Sequence, residues 1–127
     1  MKLMIVDDHA PTRSLIREMV SFLASEIHEC ASGAECLERY ATARPDIVTL
    51  DLQMQPVDGL ATLSELKRHH ADAHVVIVTQ MDNAALRRRA AYLGACAYID
   101  KNELRLLRDY LVHFVPVPRR RRRDELE

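Results

Sequence analysis

A chain of 127 residues is one domain of common size, long enough to bury a real core. Its composition, 48% hydrophobic and 29% charged with three glycines and no tryptophan, is that of a soluble globular protein and argues against a collagen-like or all-β chain. The net charge of −1, the lack of any apolar stretch near ~18 residues and the lack of a signal peptide argue against nucleic-acid or membrane association and predict a cytoplasmic location.

The first apolar run, Leu3-Met4-Ile5-Val6, begins almost at Met1, as at a natural N-terminus, and ends in Asp7 and Asp8. It is short and continuous rather than alternating, which is how a strand reads when both of its faces are covered. Pro11 suits a first helical turn, and Ile16, Met19, Val20 and Leu23 form one apolar stripe after it. A half-polar stretch around Ile27 to Ala31 predicts an edge strand. Ser32-Gly33-Ala34-Glu35 is a capping box that opens a second helix carrying Leu37 and Tyr40.

A third strand over 47–50 ends in Asp51, and Asp58-Gly59 opens a third helix with Leu60, Leu63 and Leu66. The fourth strand, over 75–78, ends in Thr79. Asp82 is the expected cap of the next helix, with Leu86, Ala90 and Leu93 apolar and Gly94 as its stop. A shorter run over 95–99 leads to Asp100 and Lys101. Asn102 is the expected cap of a fifth helix carrying Leu104, Leu107, Tyr110, Leu111 and Phe114. The chain then turns to prolines, the run Arg119 to Arg123, and Asp-Glu-Leu-Glu. The predicted organisation is a domain over 1–115 and a Pro/Arg-rich linker or tail over 116–127. Cys30, Cys36 and Cys96 lack zinc spacing and read as reduced, buried small hydrophobes. His69, His70 and His74 read as solvated.

Five strands alternating with five helices imply a doubly wound α/β parallel sheet. In such a sheet ligands bind beyond the carboxyl ends of the strands, where the strand order reverses. Asp7, Asp8 and Asp51 fall there. Two carboxylates ~4 Å apart repel by about 4 kcal/mol at an effective dielectric near ~20, so three together need protons or a cation. Mg²⁺ meets that need with oxygen ligands and suits phosphate chemistry. A carboxylate can itself attack phosphorus, with an ammonium such as Lys101 and a hydroxyl such as Thr79 stabilising the phosphoryl oxygens. One aspartate after a strand is commonly a turn former; all five residues at strand ends together point to a site.

The ordered set Ile-Val-Asp7-Asp8, Asp51-Leu-Gln-Met54 with Asp58-Gly59, Val-Ile-Val-Thr79 and Tyr98-Ile-Asp-Lys101 resembles the receiver domain of bacterial two-component response regulators. The resemblance implies a flavodoxin-like fold with strand order 2-1-3-4-5. It implies Asp51 as phosphoacceptor, Asp8 as a direct metal ligand, Asp7 acting largely through metal-bound water, and the Gln53 backbone carbonyl as a further ligand. Lys101 would contact the phosphoryl group, Thr79 would move toward it, and Tyr98 would change rotamer with Thr79. The implied cofactor is Mg²⁺ (or Mn²⁺), and the implied donor is a sensor histidine kinase, a phosphotransfer protein or a small phosphodonor. The protein would be no enzyme beyond its own phosphorylation and dephosphorylation. The face formed by the fourth helix, fifth strand and fifth helix would respond, controlling a partner, a homodimer or an output domain; DNA would be met only through such an output domain, absent from this chain. The alternative is a phosphorylation-independent interaction module of the same fold. Gln80 after the threonine, Asn102 after the lysine and Pro56 one residue late depart from the family's usual pattern.

Overall fold

The structure is a computed structural model, and it describes residues 1–54, 58–80 and 83–116. Eleven elements follow in chain order: β1 (Lys2–Val6), α1 (Ala10–Val20), β2 (Glu26–Cys30), α2 (Gly33–Ala43), β3 (Ile47–Leu50), α3 (Gly59–His69), β4 (Val75–Thr79), α4 (Ala84–Tyr92), β5 (Ala97–Asp100), a 3₁₀ turn (Lys101–Glu103) and α5 (Leu104–Val112). All strand pairs are parallel, in the order β2-β1-β3-β4-β5. This is the predicted flavodoxin-like arrangement, with the half-polar β2 at one edge and β5 at the other.

The continuous apolar runs are explained by burial on both sheet faces. Met4, Val6, Val48, Leu50, Val75 and Ile77 face α2, α3 and α4, where they pack with Tyr40, Leu63, Leu66 and Ala90. Their strand neighbours Leu3, Ile5, Ile47, Val76 and Val78 turn the other way, onto Ile16 and Val20 of α1 and Leu107 and Leu111 of α5. Each such side chain contributes about 1.5–3 kcal/mol by leaving water. Within this core Thr49 is anomalous, because its buried Oγ1 has no hydrogen-bond partner among the described residues.

The caps refine the predicted boundaries. Pro11 sits in the first turn of α1 as expected, but the helix ends at Val20, so Leu23 packs from the turn beyond it. Ser32 caps α2 by accepting from Glu35 N at 3.1 Å, while the returning Glu35 carboxylate takes the amide of Ala31 rather than that of Ser32. Asp58 caps α3 through Ala61 N at 2.8 Å. The cap of α4 is Asn83, whose Oδ1 accepts from the Ala85 and Leu86 amides, not Asp82. Asn102 does not cap α5: a 3₁₀ turn precedes that helix, Asp100 caps the turn by accepting from Asn102 N at 2.8 Å, and α5 itself starts from Glu103 without a side-chain cap bond. Gly94, at φ +106°, ends the α4 region in a backbone conformation that suits glycine.

Two expectations about side chains are corrected. Cys96 is exposed, whereas Cys30 and Cys36 are buried and burial pushes their thiols up to about 11 and about 12. His70 and His74 are packed rather than solvated: His70 lies against Tyr40 with ring centres 4.6 Å apart, and His74 shares a 2.6 Å hydrogen bond with Tyr110 and meets Phe114 edge-on. Gln55, Pro56, Asp82, nearly all of the predicted tail and the run Arg119 to Arg123 lie outside the described residues. Among the described residues no helix is long and apolar enough to cross a membrane.

Candidate functional site

The last rung of the β1–β3 pairing joins Val6 to Leu50. The next residue of each strand, Asp7 and Asp51, therefore leaves the sheet beside the other. The ladder continues through them: Asp51 N donates to Val6 O, and Asp7 N donates to Cys30 O on the far side, each at 3.0 Å. The chain has moved from β1 to β2 on one side and then to β3 on the other, so this is the point where the strand order reverses.

Here Asp7, Asp8 and Asp51 gather, with one carboxylate oxygen from each lying within 4.8 Å of the others. Asp7 and Asp51 are both only 2% exposed, while Asp8 opens to solvent. Lys101 enters from β5, one residue beyond the Thr79–Asp100 rung. Its Nζ lies 2.7 Å from Asp7 Oδ2 and 3.0 Å from Asp51 Oδ2. Burial pulls the ammonium below the ordinary lysine range, but the hydrogen bonds and charges of Asp7 and Asp51 together outweigh it and hold Lys101 above that range.

The remaining carboxylate oxygens are held by local main chain. Asp7 Oδ1 accepts from His9 N at 2.8 Å, and Asp51 Oδ1 accepts from Gln53 N at 3.1 Å. These Asx-type turns aim the opposite oxygens toward Lys101. Arg13 adds a brace that the sequence did not reveal. Its Nη1 donates to Asp7 O at 2.7 Å while its Nε meets Glu29 of β2 at 3.2 Å. Gly59 is a second: α3 begins against the Asp51–Leu52 backbone, with Gly59 N donating to Leu52 O at 3.1 Å. Neither has a local sequence signal. Arg13 reads as a polar position on an amphipathic helix, and Gly59 as the residue after a cap.

Thr79 is buried at the end of β4. Alternation along β4 puts its side chain on the face of Ile77, and Tyr98 of β5 pairs with Ile77. Tyr98 is half-buried, and the Arg87 guanidinium of α4 lies 4.7 Å from its ring centre. Four predicted residues are thus brought together (Asp7, Asp8, Asp51 and Lys101). Thr79 ends the adjacent strand, Gln53, itself exposed, stands two residues after Asp51 between the buried Leu52 and Met54, and Tyr98 stands one layer away toward α4. An all-oxygen set of two buried carboxylates and one open to solvent fits a hard divalent cation such as Mg²⁺, which keeps several waters.

An open five-stranded α/β sheet with three carboxylates and an ammonium at its switch point is the architecture of the CheY-like class of the flavodoxin fold. The chain belongs to the response regulator receiver domain family, whose pattern matches residues 3–111. It is similar to the chemotaxis protein CheY of Halobacterium salinarum, 32% identical over 100 residues that cover 79% of this chain and 83% of that one. It is equally similar, 32% over 101 residues, to CheY of Bacillus subtilis, covering 79% and 84%. Among solved structures it superposes on the Borrelia burgdorferi CheX-CheY-BeF3-Mg²⁺ complex with a TM-score of 0.79 and 26% identity, covering 91% of this chain and 90% of that one.

Proposed function

We propose that this receiver accepts a phosphoryl group on Asp51 and uses it to switch the α4-β5-α5 face. The observation that carries the reading is the shared contact of Lys101 with Asp7 and Asp51 inside a three-carboxylate cluster. A carboxylate oxygen of Asp51 forms the new bond to phosphorus. The bond from phosphorus to the donor breaks, to nitrogen in a histidine kinase or phosphotransfer protein and to oxygen in a small donor such as acetyl phosphate, and the leaving group keeps the electron pair. Asp7, Asp8 and Asp51 with the Gln53 carbonyl would hold Mg²⁺ (or Mn²⁺), which when bound neutralises carboxylate and phosphoryl charge.

Lys101 then exchanges its contact with Asp51 for the phosphoryl oxygens, and the Thr79 hydroxyl donates to them. The product adds about −1.5 to −2 charges at a nearly closed site. Moving a two-state element from about 1:99 to 99:1 takes about 5.5 kcal/mol of differential stabilisation; charge-assisted contacts to Lys101 and Thr79 supply part of it. Withdrawal of Thr79 toward Asp51 frees space beside Tyr98, whose rotamer follows. The chemistry is a single transfer onto the protein, not turnover of a substrate. The proposed organisation is a receiver over 1–115 and a linker or tail over 116–127, with any contact to DNA made by an output domain.

Incubation with Mg²⁺ and acetyl phosphate should add one phosphoryl mass to the chain and none to Asp51→Asn. No mass gain, or an equal gain in the variant, would sink the reading.

A further inference from the structure

Asp8 is the open member of the acidic cluster, and among the described residues its carboxylate makes no hydrogen bond and no ion pair. Its direction is therefore set by the main chain on either side of it. The peptide after Asp8 is held from within the loop, where His9 N donates to Asp7 Oδ1 at 2.8 Å. The peptide before it is held from outside, where Arg13 Nη1 donates to Asp7 O at 2.7 Å. That carbonyl and the Asp8 amide belong to one planar unit, so the guanidinium fixes how the plane is turned.

Arg13 can do this because it is itself held. Its side chain is only 17% exposed, and its Nε lies 3.2 Å from Glu29 Oε1. Arg17, one turn further along α1, takes the other oxygen of Glu29 at 2.7 Å. Glu29 belongs to β2, whose next residue, Cys30, accepts Asp7 N at 3.0 Å. Asp7 is thus tied to β2 at both ends of its own backbone, directly at its N–H and through Arg13 and Glu29 at its carbonyl. A planar guanidinium serves two acceptors at fixed angles, which an ammonium on a flexible stem does not. The helix offers no substitute, since His9 at its N-terminus makes no side-chain cap bond.

We infer that Arg13 is a positioning residue for cation binding, acting through the Asp7–Asp8 peptide to aim the Asp8 carboxylate, with Glu29 setting the angle of its guanidinium. The inference rests on the cluster's holding Mg²⁺, which is part of the function proposed above. Two effects of this one side chain oppose each other, and their signs differ. As a bare charge Arg13 repels a divalent cation at the cluster, so its removal would tighten binding. As a positioning residue it spares the loop the entropy of ordering a peptide plane and a carboxylate when the cation arrives, so its removal weakens binding. The ion pair with Glu29 mutes the first effect and leaves the second intact.

The test is Mg²⁺ titration of the full chain, followed by the amide NMR shifts of Asp8, Gln53 and Lys101, with urea unfolding of each variant beside it. Arg13→Met should bind Mg²⁺ about tenfold more weakly, the scale seen when a residue that orients a metal ligand is lost. Arg13→Lys should fall between that variant and the parent, and Glu29→Gln should show a smaller loss. Arg17→Met removes an equal charge but leaves Asp7 O alone, and should bind as the parent does or slightly tighter. In an Asp8→Asn background Arg13→Met should cost little more, because the carboxylate it aims is gone; a purely structural role would lower affinity equally in both backgrounds. Tighter binding by Arg13→Met, an equal loss in Arg17→Met, full additivity with Asp8→Asn, or lost stability with affinity kept overturns the inference. A parent chain whose amides ignore Mg²⁺ defeats the cation site and Arg13's role with it, while a responsive parent beside an indifferent Arg13→Met defeats the inference alone.

Discussion

Gly59 packs its α-carbon onto the main chain of Asp51, so that a Cβ there would land on the Asp51 carbonyl oxygen and lie 2.6 Å from Leu52 Cα. These are backbone atoms and cannot turn aside as a side chain does. The start of α3 and the loop that carries Asp51 therefore share one fitted surface.

Gly59→Ala should force the two segments apart. The expected cost is about 1–3 kcal/mol, as for overpacking at a filled site. Urea unfolding reads the stability, and acetyl phosphate labelling should slow because Asp51 is displaced. A variant as stable and as quickly labelled as the parent would show that the contact is dispensable.

Lys101→Met should leave Asp7 and Asp51 facing each other without their cation. Removal of one partner from a mostly buried ion cluster is expected to destabilise the metal-free chain by up to about 3 kcal/mol. Mg²⁺ should recover more stability in this variant than in the parent, since it replaces a missing charge. Thermal melts with and without Mg²⁺ decide this; equal responses would mean that Lys101 does not balance the carboxylates.

His74 makes the folded chain sensitive to mild acid. Burial, then the nearby Lys67 charge, holds the imidazole below the ordinary histidine range. The unfolded chain thus binds the proton more readily than the folded one, so stability is full above about pH 6.5 and declines as pH falls through the lowered folded value. The urea midpoint should drop between pH 7.5 and pH 5.5, with a shallower drop in His74→Gln. Parallel curves for the two proteins would remove His74 as the cause.

Thr49→Val should stabilise the fold. The Thr49 hydroxyl is buried in β3 without a partner among the described residues, and its replacement by a methyl of similar size removes an uncompensated desolvation. A gain of about 1 kcal/mol is expected, seen as a higher urea midpoint at unchanged slope. A loss would show that the oxygen is satisfied in solution.

Much of this fold is legible in the chain because its strands are covered on both faces. Runs such as Val75–Thr79 have no charged residue to interrupt them, and each ends in a residue that cannot be buried cheaply, which marks the sheet's carboxyl edge. Ser32 and Asp58 cap α2 and α3 where the sequence puts them, but the starts of the last two helices were legible only to within a residue or two. Asp82 and Asn83 are adjacent and chemically similar, and backbone geometry alone chooses Asn83. Asn102 does not cap α5, because a 3₁₀ turn capped by Asp100 intervenes and α5 starts from Glu103 without a side-chain cap bond; no local pattern announces that turn. The carboxylate cluster followed from strand ends and parallel order. The Arg13 brace, the Arg87–Tyr98 stack and the His74–Tyr110 bond did not, because each joins residues from different elements whose spacing carries no periodicity.

The Arg13 contact has a bearing on ion choice. Its guanidinium ties the carbonyl of Asp7 to Glu29 of a neighbouring strand, and Arg17 grips the same glutamate at 2.7 Å. The acidic loop is thereby clamped to the rim of the sheet instead of hanging from β1 by its own turn. A stiff cage of few oxygens discriminates by ionic radius: it favours a small ion that keeps its waters in octahedral order over a larger one that asks the ligands to close around it. The discrimination would then reside in two arginines that touch no ion at all.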